Sequence, residues 1–274
     1  MSAAERLSAF LSDHPKLLVL SGAGISSDSG IPHYRDSDGN WRHQKPVQYQ
    51  DFCAHEATRA RYWARSTIGW LRMNKAQPNR AHQAVAELEA RGKLSATVTQ
   101  NVDGLHQRAG SRNVVDLHGR IDTVVCLTCS NRLSRTNWQK RLTSLNPDFV
   151  SNNQMALRAP DGDAQVDDAQ AATFNLANCD ACGGIMKPDV VFFGEPVPSE
   201  RVKHSMDALD QADALLVIGS SLIVYSGFRF ARQAKQWGKP IALLNLGFNR
   251  ASDLASLQLN ADCSSTLASA VLDD

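Results

Sequence analysis

The sequence predicts an α/β protein built on a doubly wound parallel sheet, and two features of the chain lead to this. Short aliphatic runs without strict polar alternation recur along the chain, as in strands that are buried on both faces of a parallel sheet. Segments with helical spacing lie between these runs, and such alternation favours a doubly wound sheet. The runs that we expect to form strands lie at 16–20, 96–99, 113–117, 189–193, 214–218 and 241–244.

Helices are predicted where apolar residues recur with a period near 3.6. Residues 3–13 have Leu7, Phe10 and Leu11 on one side. A second helix at 80–91 has Asn79 at a plausible N-cap and a glycine just past its end. Similar patterns predict helices at 199–211 and 227–237.

A change of pattern between residues 121 and 188 predicts a small module inserted in a larger domain. Cysteine pairs appear there, and a polar stretch at 151–170 breaks the alternation of strands and helices. We therefore expect a large domain from residues 1–120 and 189–274, with the insert at 121–188.

Composition excludes some classes of partner. The 274 residues carry 29 basic and 28 acidic side chains, so the chain has no electrostatic footprint for nucleic acid or an anionic membrane. The first residues lack the order of a signal peptide, and no apolar run reaches the roughly 20 residues of a membrane span. We expect a cytoplasmic protein, or one of the mitochondrial matrix if a transit peptide is missing from this chain. The oligomeric state is left open.

The strongest chemical signal is a pair of Cys-x-x-Cys motifs. In a reducing compartment these thiols are not expected to form disulfides, and four thiolates suit tetrahedral zinc. A fully thiolate shell is closed, so the metal is predicted to be structural; four unrelated buried cysteines are the alternative. Cys53 is expected to be a small apolar filler, and so is Cys263. The predicted zinc ligands are Cys126, Cys129, Cys179 and Cys182.

Polar and glycine residues follow several of the predicted strands. Gly22, Ala23 and Gly24 come after the first strand and let the backbone approach a phosphate, although a tight turn explains them equally well. The third glycine of the dinucleotide fingerprint is absent, since Ser27 occupies its place. That departure disfavours a hydride-transferring dehydrogenase.

Two further strand ends carry candidate site residues. Gln100, Asn101 and Asp103 group amides and a carboxylate that suit ribose hydroxyls or a carboxamide, or that form a polar turn. His118 also follows a strand and could accept a proton near neutral pH, although a lone histidine is more often structural.

Taken in order, these motifs resemble the sirtuin family over nearly the whole chain. Each motif alone is modest evidence, but the ordered set is highly specific. Three further stretches, RYWAR (61–65), RAPDGD (158–163) and VYSGFRF (224–230), resemble the class II branch, which includes a mitochondrial lipoamidase-type sirtuin. The family motifs are GAGIS (22–26), SGIPHYR (29–35), TQNVDGLH (99–106), LHG (117–119), the cysteine pairs, KPDVVFFGE (187–195), GSSL (219–222) and LNLG (244–247).

The resemblance implies a Rossmann-like large domain that binds NAD, with the zinc-binding module inserted in it. It implies that His118 is the general base, and that Phe192, Phe193 and Gly194 bind the substrate peptide by strand addition. It further implies that cofactor contacts come from Gly22, Ala23, Gly24, Ile25, Ser26, Tyr34, Arg35, Gln100, Asn101, Val102, Asp103, Gly219, Ser220, Ser221, Asn245, Leu246, Gly247 and Cys263.

The implied reaction is NAD-dependent removal of acetyl or longer acyl groups from protein lysines, releasing nicotinamide and O-acyl-ADP-ribose. A closed loop that includes 29–35 would exclude water. His33 and Tyr34 depart from the family's usual Asp and Phe, which leaves the role of the missing carboxylate open. A lipoamidase, a mono-ADP-ribosyltransferase, a degenerate zinc-dependent interaction module and a nicotinamide dehydrogenase remain as alternatives.

Overall fold

The computed structural model describes residues 1–31, 46–153 and 168–273. The chain divides into two compact units. The first contains the described residues 1–31, 77–117 and 197–273, and the second contains 46–76, 118–153 and 168–196. The second unit includes residues on both sides of the expected insert at 121–188, so the bounds of that insert stay a prediction. Among the helices in the described part of the chain, none is long and apolar enough to cross a bilayer.

A six-stranded parallel sheet forms the first unit, and the aliphatic runs predict five of its strands. Its spatial order is β3-β2-β1-β7-β8-β9. The strands β2 and β3 therefore lie on one side of β1, and β7, β8 and β9 lie on the other side. The strands are β1 (Leu17–Ser21), β2 (Leu94–Thr99), β3 (Val114–Asp116), β7 (Ala214–Ile218), β8 (Ile241–Leu244) and β9 (Leu257–Leu259).

Helices cover both faces of this sheet. Alternate residues of β1 point to opposite faces, so Leu17 and Val19 join one apolar cluster whereas Leu18 and Leu20 join the other. A 3₁₀ helix at Ala23–Ser29 follows β1. The α-helices of this unit are α1 (Ala3–Asp13), α4 (Arg80–Ala90), α5 (Leu105–Arg108), α9 (Ser199–Asp210), α10 (Tyr225–Gln236) and α11 (Cys263–Val271).

The helix predicted at 80–91 shows why sequence patterns can predict the two ends of a helix. Asn79 caps α4, since its side-chain oxygen accepts from the backbone N–H of Ala81 and His82. Gly92, just past the helix end, has φ = +72° and open space around it. The cap and the glycine therefore fix both ends of this helix.

The second unit is built on a three-stranded antiparallel sheet of order β5-β4-β6. Its core is aromatic, with Trp63 and Trp138 almost fully buried. The buried Arg135 guanidinium lies over the Trp63 and Trp70 rings and donates to Ser66. The elements are α2 (Tyr49–Ala54), α3 (Glu56–Met73), β4 (Gly119–Cys126), β5 (Arg132–Ser134), α6 (Arg135–Leu145), α7 (Pro147–Asn152), α8 (Asp168–Ala172) and β6 (Met186–Val190).

One predicted strand was wrong. The run at 189–193 was expected in the parallel sheet, but its first residues end β6, which pairs antiparallel with β4. The rest of the run bends away, because Glu195 N–H donates to the Phe192 carbonyl at 3.0 Å and Gly194 has φ = +80°. Aliphatic composition alone does not distinguish a buried parallel strand from this antiparallel strand and turn.

Candidate functional site

The glycine turn after β1 packs directly against the turn after β7. Gly24 N–H donates to the Gly219 carbonyl at 2.7 Å, and Gly22 N–H donates to the Ile218 carbonyl at 3.0 Å. A Cβ on Gly24 would lie 2.7 Å from the Gly219 Cα, and one on Gly22 would lie 2.7 Å from the Ser220 Cβ. Both glycines are therefore required by the close approach of the two turns, and the predicted approach of their backbone to a phosphate stays a prediction.

Side chains after β2 tie the glycine turn in place. Asn101 Nδ2 donates to the Gly22 carbonyl and to Ser26 Oγ, each at 3.1 Å. Ser26 Oγ donates in turn to Asp103 Oδ2 at 2.8 Å. Gln100 Nε2 donates to Ser220 Oγ at 2.8 Å. The sequence-predicted amides and carboxylate thus lie together at the carboxyl edge of the sheet, with Val102 partly exposed beside them.

Two buried histidines lie beneath this turn, and no sequence motif assigned either of them a role in the site. His106 Nε2 lies 2.8 Å from Ser21 Oγ, and His82 Nε2 lies 3.5 Å from Ser26 Oγ. Burial, together with a smaller effect of the neighbouring His82, lowers the pKa of His106 to about 3. Burial likewise lowers the pKa of His82 to about 4, against the opposing effect of the Asp103 charge. Both imidazoles are therefore neutral near pH 7, and only the capping position of Asn79 hinted at His82.

The remaining cofactor candidates of the first unit also follow its strands. Gly219, Ser220 and Ser221 follow β7, and residues 245–247 follow β8, so they share the edge of the sheet with the glycine turn. Leu246 is 61% exposed, and Gly247 has φ = +80°. This edge is where parallel α/β sheets bind ligands.

Cys263 begins α11 and is buried, with its Sγ 3.7 Å from the Leu244 carbonyl. Burial raises the pKa of this thiol to about 12. A protonated thiol is a poor nucleophile, which fits the predicted role as an apolar filler. Its predicted contact with the cofactor through backbone atoms stays a prediction.

Three sequence-predicted positions lie outside the described residues. Tyr34 and Arg35, expected to contact the cofactor, are among them, and so is the unusual His33. Their roles stay predictions.

His118 belongs to the second unit and directly follows Leu117, whose N–H donates to the Thr99 carbonyl at 2.9 Å. Within the second unit, the His118 carbonyl accepts from Val191 N–H at 2.8 Å. That bond joins the backbone of the candidate base to the segment that follows β6.

An ion pair between buried Lys187 and partly buried Glu195 organises the segment predicted to bind peptide. Glu195 Oε2 accepts from Lys187 Nζ at 3.0 Å and from Phe192 N–H at 2.8 Å. The Lys187 ammonium is nearly buried and lies 4.8 Å from the centre of the Phe192 ring. On the other side, Tyr49 N–H donates to the Phe193 carbonyl at 2.8 Å. These contacts fix the backbone of Phe192 and Phe193.

The four predicted metal ligands come together in the second unit. Their Sγ atoms all lie within 4.8 Å of one another, with Cys126 and Cys182 at 3.5 Å and Cys129 and Cys179 at 3.7 Å. A tetrahedral site with Zn–S bonds of about 2.3 Å places its sulfurs about 3.8 Å apart, so the cluster fits zinc.

The turns that carry the cysteines favour metal binding through a backbone N–H group and a closely packed glycine. The backbone N–H of Cys129 is the main cause that lowers the pKa of Cys126 to about 6, which favours the thiolate that a metal needs. Gly184 packs against the site, since a Cβ there would lie 2.9 Å from Cys126 Sγ. A closed set of four thiolates leaves no open position, so a metal held there would be structural.

Comparison with known proteins agrees with these features. Residues 22–226 match the model of the Sir2 family. The chain is 53% identical over 262 residues to an NAD-dependent protein deacetylase of Xanthomonas campestris pv. campestris (strain 8004), covering 96% of this chain and 89% of that protein. It is 51% identical over 264 residues to NAD-dependent protein deacetylase 2 of Bradyrhizobium diazoefficiens, covering 96% of each.

Solved structures similar to this chain are also Sir2 proteins. A complex of Sir2 with p53 peptide and NAD⁺ superposes with a TM-score of 0.75 at 29% identity, covering 97% of this chain and 96% of that one. A Sir2 variant with deacetylated p53 peptide and 3′-O-acetyl ADP-ribose gives a TM-score of 0.79 at 28% identity, covering 98% and 97%.

The buried histidines predict a loss of stability in acid. Their folded-state pKa values lie below the usual 6.5, so the unfolded chain binds more protons as the pH falls. The free energy of unfolding should be unaffected by them above pH 6.5. It should fall below that pH by about 1.4 kcal/mol per pH unit for each histidine. Urea unfolding from pH 7 to pH 4.5 measures the slope.

His106→Gln should flatten this slope, whereas His204→Gln, at an exposed position, should not. The difference between the two variants separates the buried histidine from carboxylates that titrate in the same range. Equal slopes in the wild type and in His106→Gln would mean that the buried imidazole is not a source of acid lability.

The cysteine cluster predicts that zinc stabilises the fold. Cys179→Ala should lose bound zinc and lower the free energy of unfolding by roughly 3 kcal/mol or more, because metal binding is coupled to folding. Cys53→Ala, which lies outside the cluster, should retain one zinc per chain. Elemental analysis and urea unfolding measure both effects; a metal-free Cys179→Ala protein with unchanged stability would contradict the assignment.

Proposed function

This chain belongs to the Sir2 family, and we propose that it is an NAD-dependent deacetylase acting on lysine side chains of proteins. The convergence of the turns after β1, β2, β7 and β8 at one edge of the sheet is the observation that carries this proposal. Deacetylation is supported by the relatives, which are NAD-dependent protein deacetylases. A peptide or protein substrate is supported by the similar Sir2 structures that contain p53 peptide.

We assign the binding of NAD to the edge formed by these turns. The backbone at Gly22–Gly24 would hold the pyrophosphate, since a glycine turn exposes N–H groups. Gln100, Asn101 and Asp103 would hold the ribose and the carboxamide, and the turns at 219–221 and 245–247 would hold the adenosine half. NAD supplies a ribose carbon that carries a cationic leaving group, nicotinamide.

His118 is assigned as the general base. A neutral imidazole can take a proton from a ribose hydroxyl near neutral pH, and no other side chain has an ordinary pKa as close to that range. The buried His82 and His106 cannot replace it, because their lowered pKa values make them poor proton acceptors. We assign these two histidines a structural role, which is to hold the glycine turn after β1 in place.

The segment Phe192–Gly194 is assigned to peptide binding. An added substrate strand forms main-chain hydrogen bonds and so places little demand on sequence. Such recognition requires a fixed backbone, and the Lys187–Glu195 pair supplies it by bonding Phe192 N–H from within the turn.

A longer acyl substrate is the second candidate within the same reaction. It is favoured by the class II motifs at 61–65 and 224–230, while the motif at 158–163 lies outside the described residues. Lipoyl is the longer group that this branch suggests. Transfer of ADP-ribose to protein remains the alternative use of the same NAD site.

Substitution of the candidate base tests the proposed reaction. His118→Ala should lower deacetylation by roughly 100-fold or more, because general-base catalysis contributes about 10²- to 10⁴-fold. His204→Ala, at an exposed position, should keep full activity, and both variants should retain zinc. The assay incubates acetyl-, longer acyl- and lipoyl-lysine peptides with NAD and follows nicotinamide and O-acyl-ADP-ribose by mass spectrometry.

Each outcome of this assay is informative. Undiminished turnover in His118→Ala would contradict the assignment of His118 as the general base. ADP-ribose attached to protein, with no acyl transfer to the sugar, would identify a transferase instead. Faster release of a lipoyl or other long acyl group than of acetyl would favour the class II assignment.

Disruption of the Lys187–Glu195 ion pair should weaken peptide binding selectively. Lys187→Met leaves Glu195 without its cation and loosens the Phe192 backbone, so the KM for acetyl peptide should rise by roughly tenfold with little change in the KM for NAD. Lys203→Met removes an exposed lysine that pairs with Asp207 and serves as the control. A parallel rise in both KM values would contradict a selective role of this pair in positioning the peptide-binding segment.

A further inference from the structure

Helix α10 presents a basic groove on the face opposite its buried side. Gly227, Phe230 and Ala234 are buried, whereas Tyr225, Arg229, Arg232 and Gln236 recur at helical spacing on the other side. A groove of about 270 Å³ is lined by Met206, Tyr225, Arg229, Arg232, Gln233 and Gln236. None of these residues belongs to the proposed NAD or peptide sites.

Two guanidinium groups of this groove share one aromatic ring. The Arg229 Cζ lies 5.3 Å from the centre of the Tyr225 ring, and the Arg232 Cζ lies 5.9 Å from it. Arg232 Nη1 also donates to the Tyr225 hydroxyl at 3.3 Å. These contacts with Tyr225 restrict both side chains, so less conformational entropy remains to be lost when they bind a ligand.

The charge of these arginines is not neutralised within the described part of the chain. Neither forms an ion pair with a described carboxylate, and α10 contains Arg229, Arg232 and Lys235 but no acidic residue. Arg229 Nε is buried and has no acceptor among the described residues. A buried donor without an acceptor is costly, and a movement of the Arg229 side chain toward an anion in the groove would satisfy it.

We propose that this groove binds the phosphate group of a small phosphorylated ligand. A guanidinium matches phosphate oxygens with two parallel N–H donors, and such charge-assisted bonds are stronger than neutral ones. The carboxamides of Gln233 and Gln236 add neutral donors, and none of the described residues that line the groove is acidic and would repel an anion. The volume is near the lower end of the range for small-molecule sites, which favours a small ligand over a macromolecule.

The experiment titrates the zinc-loaded full chain with inorganic phosphate and with pyrophosphate. Calorimetry measures affinity, and the Nε–Hε resonance of Arg229 reports the place of binding. We expect saturable binding, tighter for pyrophosphate, and a shift of the Arg229 resonance. The double variant Arg229→Gln with Arg232→Gln should weaken that binding at least about tenfold, because two charge-assisted contacts are lost.

Lys235→Gln is the matched control, since it removes one positive charge from the same helix outside the groove. It should change affinity by less than about twofold if contact, rather than long-range attraction, determines binding. Deacetylation should persist in all three proteins, which separates this proposal from the proposed function.

Several results would overturn the proposal. Equal weakening in Lys235→Gln would indicate nonspecific attraction. An unshifted Arg229 resonance in the wild type would place the anion elsewhere, including at the glycine turn, and this readout stands even if the double variant fails to fold. Tighter binding of a phosphoserine peptide than of pyrophosphate would indicate that the groove binds a phosphorylated protein and not a small ligand.

Discussion

The close approach of two turns at the centre of the sheet is the constraint on which the proposed NAD site depends. β1 and β7 are neighbours in the sheet, and the chain leaves each of them through glycine. A Cβ on Gly219 would lie 2.3 Å from the Ile25 backbone nitrogen, and this residue also has φ = +59°. Steric space and backbone conformation therefore both demand glycine there.

Once the turns meet, the polar groups around them have fixed positions. Asn101 bonds the Gly22 carbonyl, Gln100 bonds Ser220, and Ser26 joins Asp103 to the turn. Neutral imidazoles fill the space beneath them without bringing a charge into the core. The same side chains that the resemblance assigns to the ribose thus also shape the backbone that would hold the pyrophosphate. A change at one of them is expected to affect both roles.

Patterns that depend on local chemistry could be predicted from the sequence. The cysteine spacing identified four sulfurs that come within 4.8 Å of one another, and the cap at Asn79 identified a helix end. The aliphatic runs identified five strands of the parallel sheet, since burial on both faces leaves a continuous apolar pattern.

Features that depend on tertiary pairing could not be predicted in the same way. The run at 189–193 has the composition of a parallel strand, and only its pairing with β4 shows otherwise. The short strand β9 has too few residues to show a period. His82 and His106 acquire their low pKa values from burial, which a sequence does not display. The cation–π stacking of Arg229 and Arg232 on Tyr225 likewise became visible only in three dimensions.

Binding of ADP-ribose to a Gly24→Ala variant tests the central claim most directly. A methyl group there would meet the Gly219 Cα at 2.7 Å, so the turns should separate and the affinity measured by calorimetry should fall at least about tenfold, with zinc retained. Gly92→Ala, which strains a positive φ in open space, should bind as the wild type does. Wild-type affinity for ADP-ribose in Gly24→Ala would contradict the account.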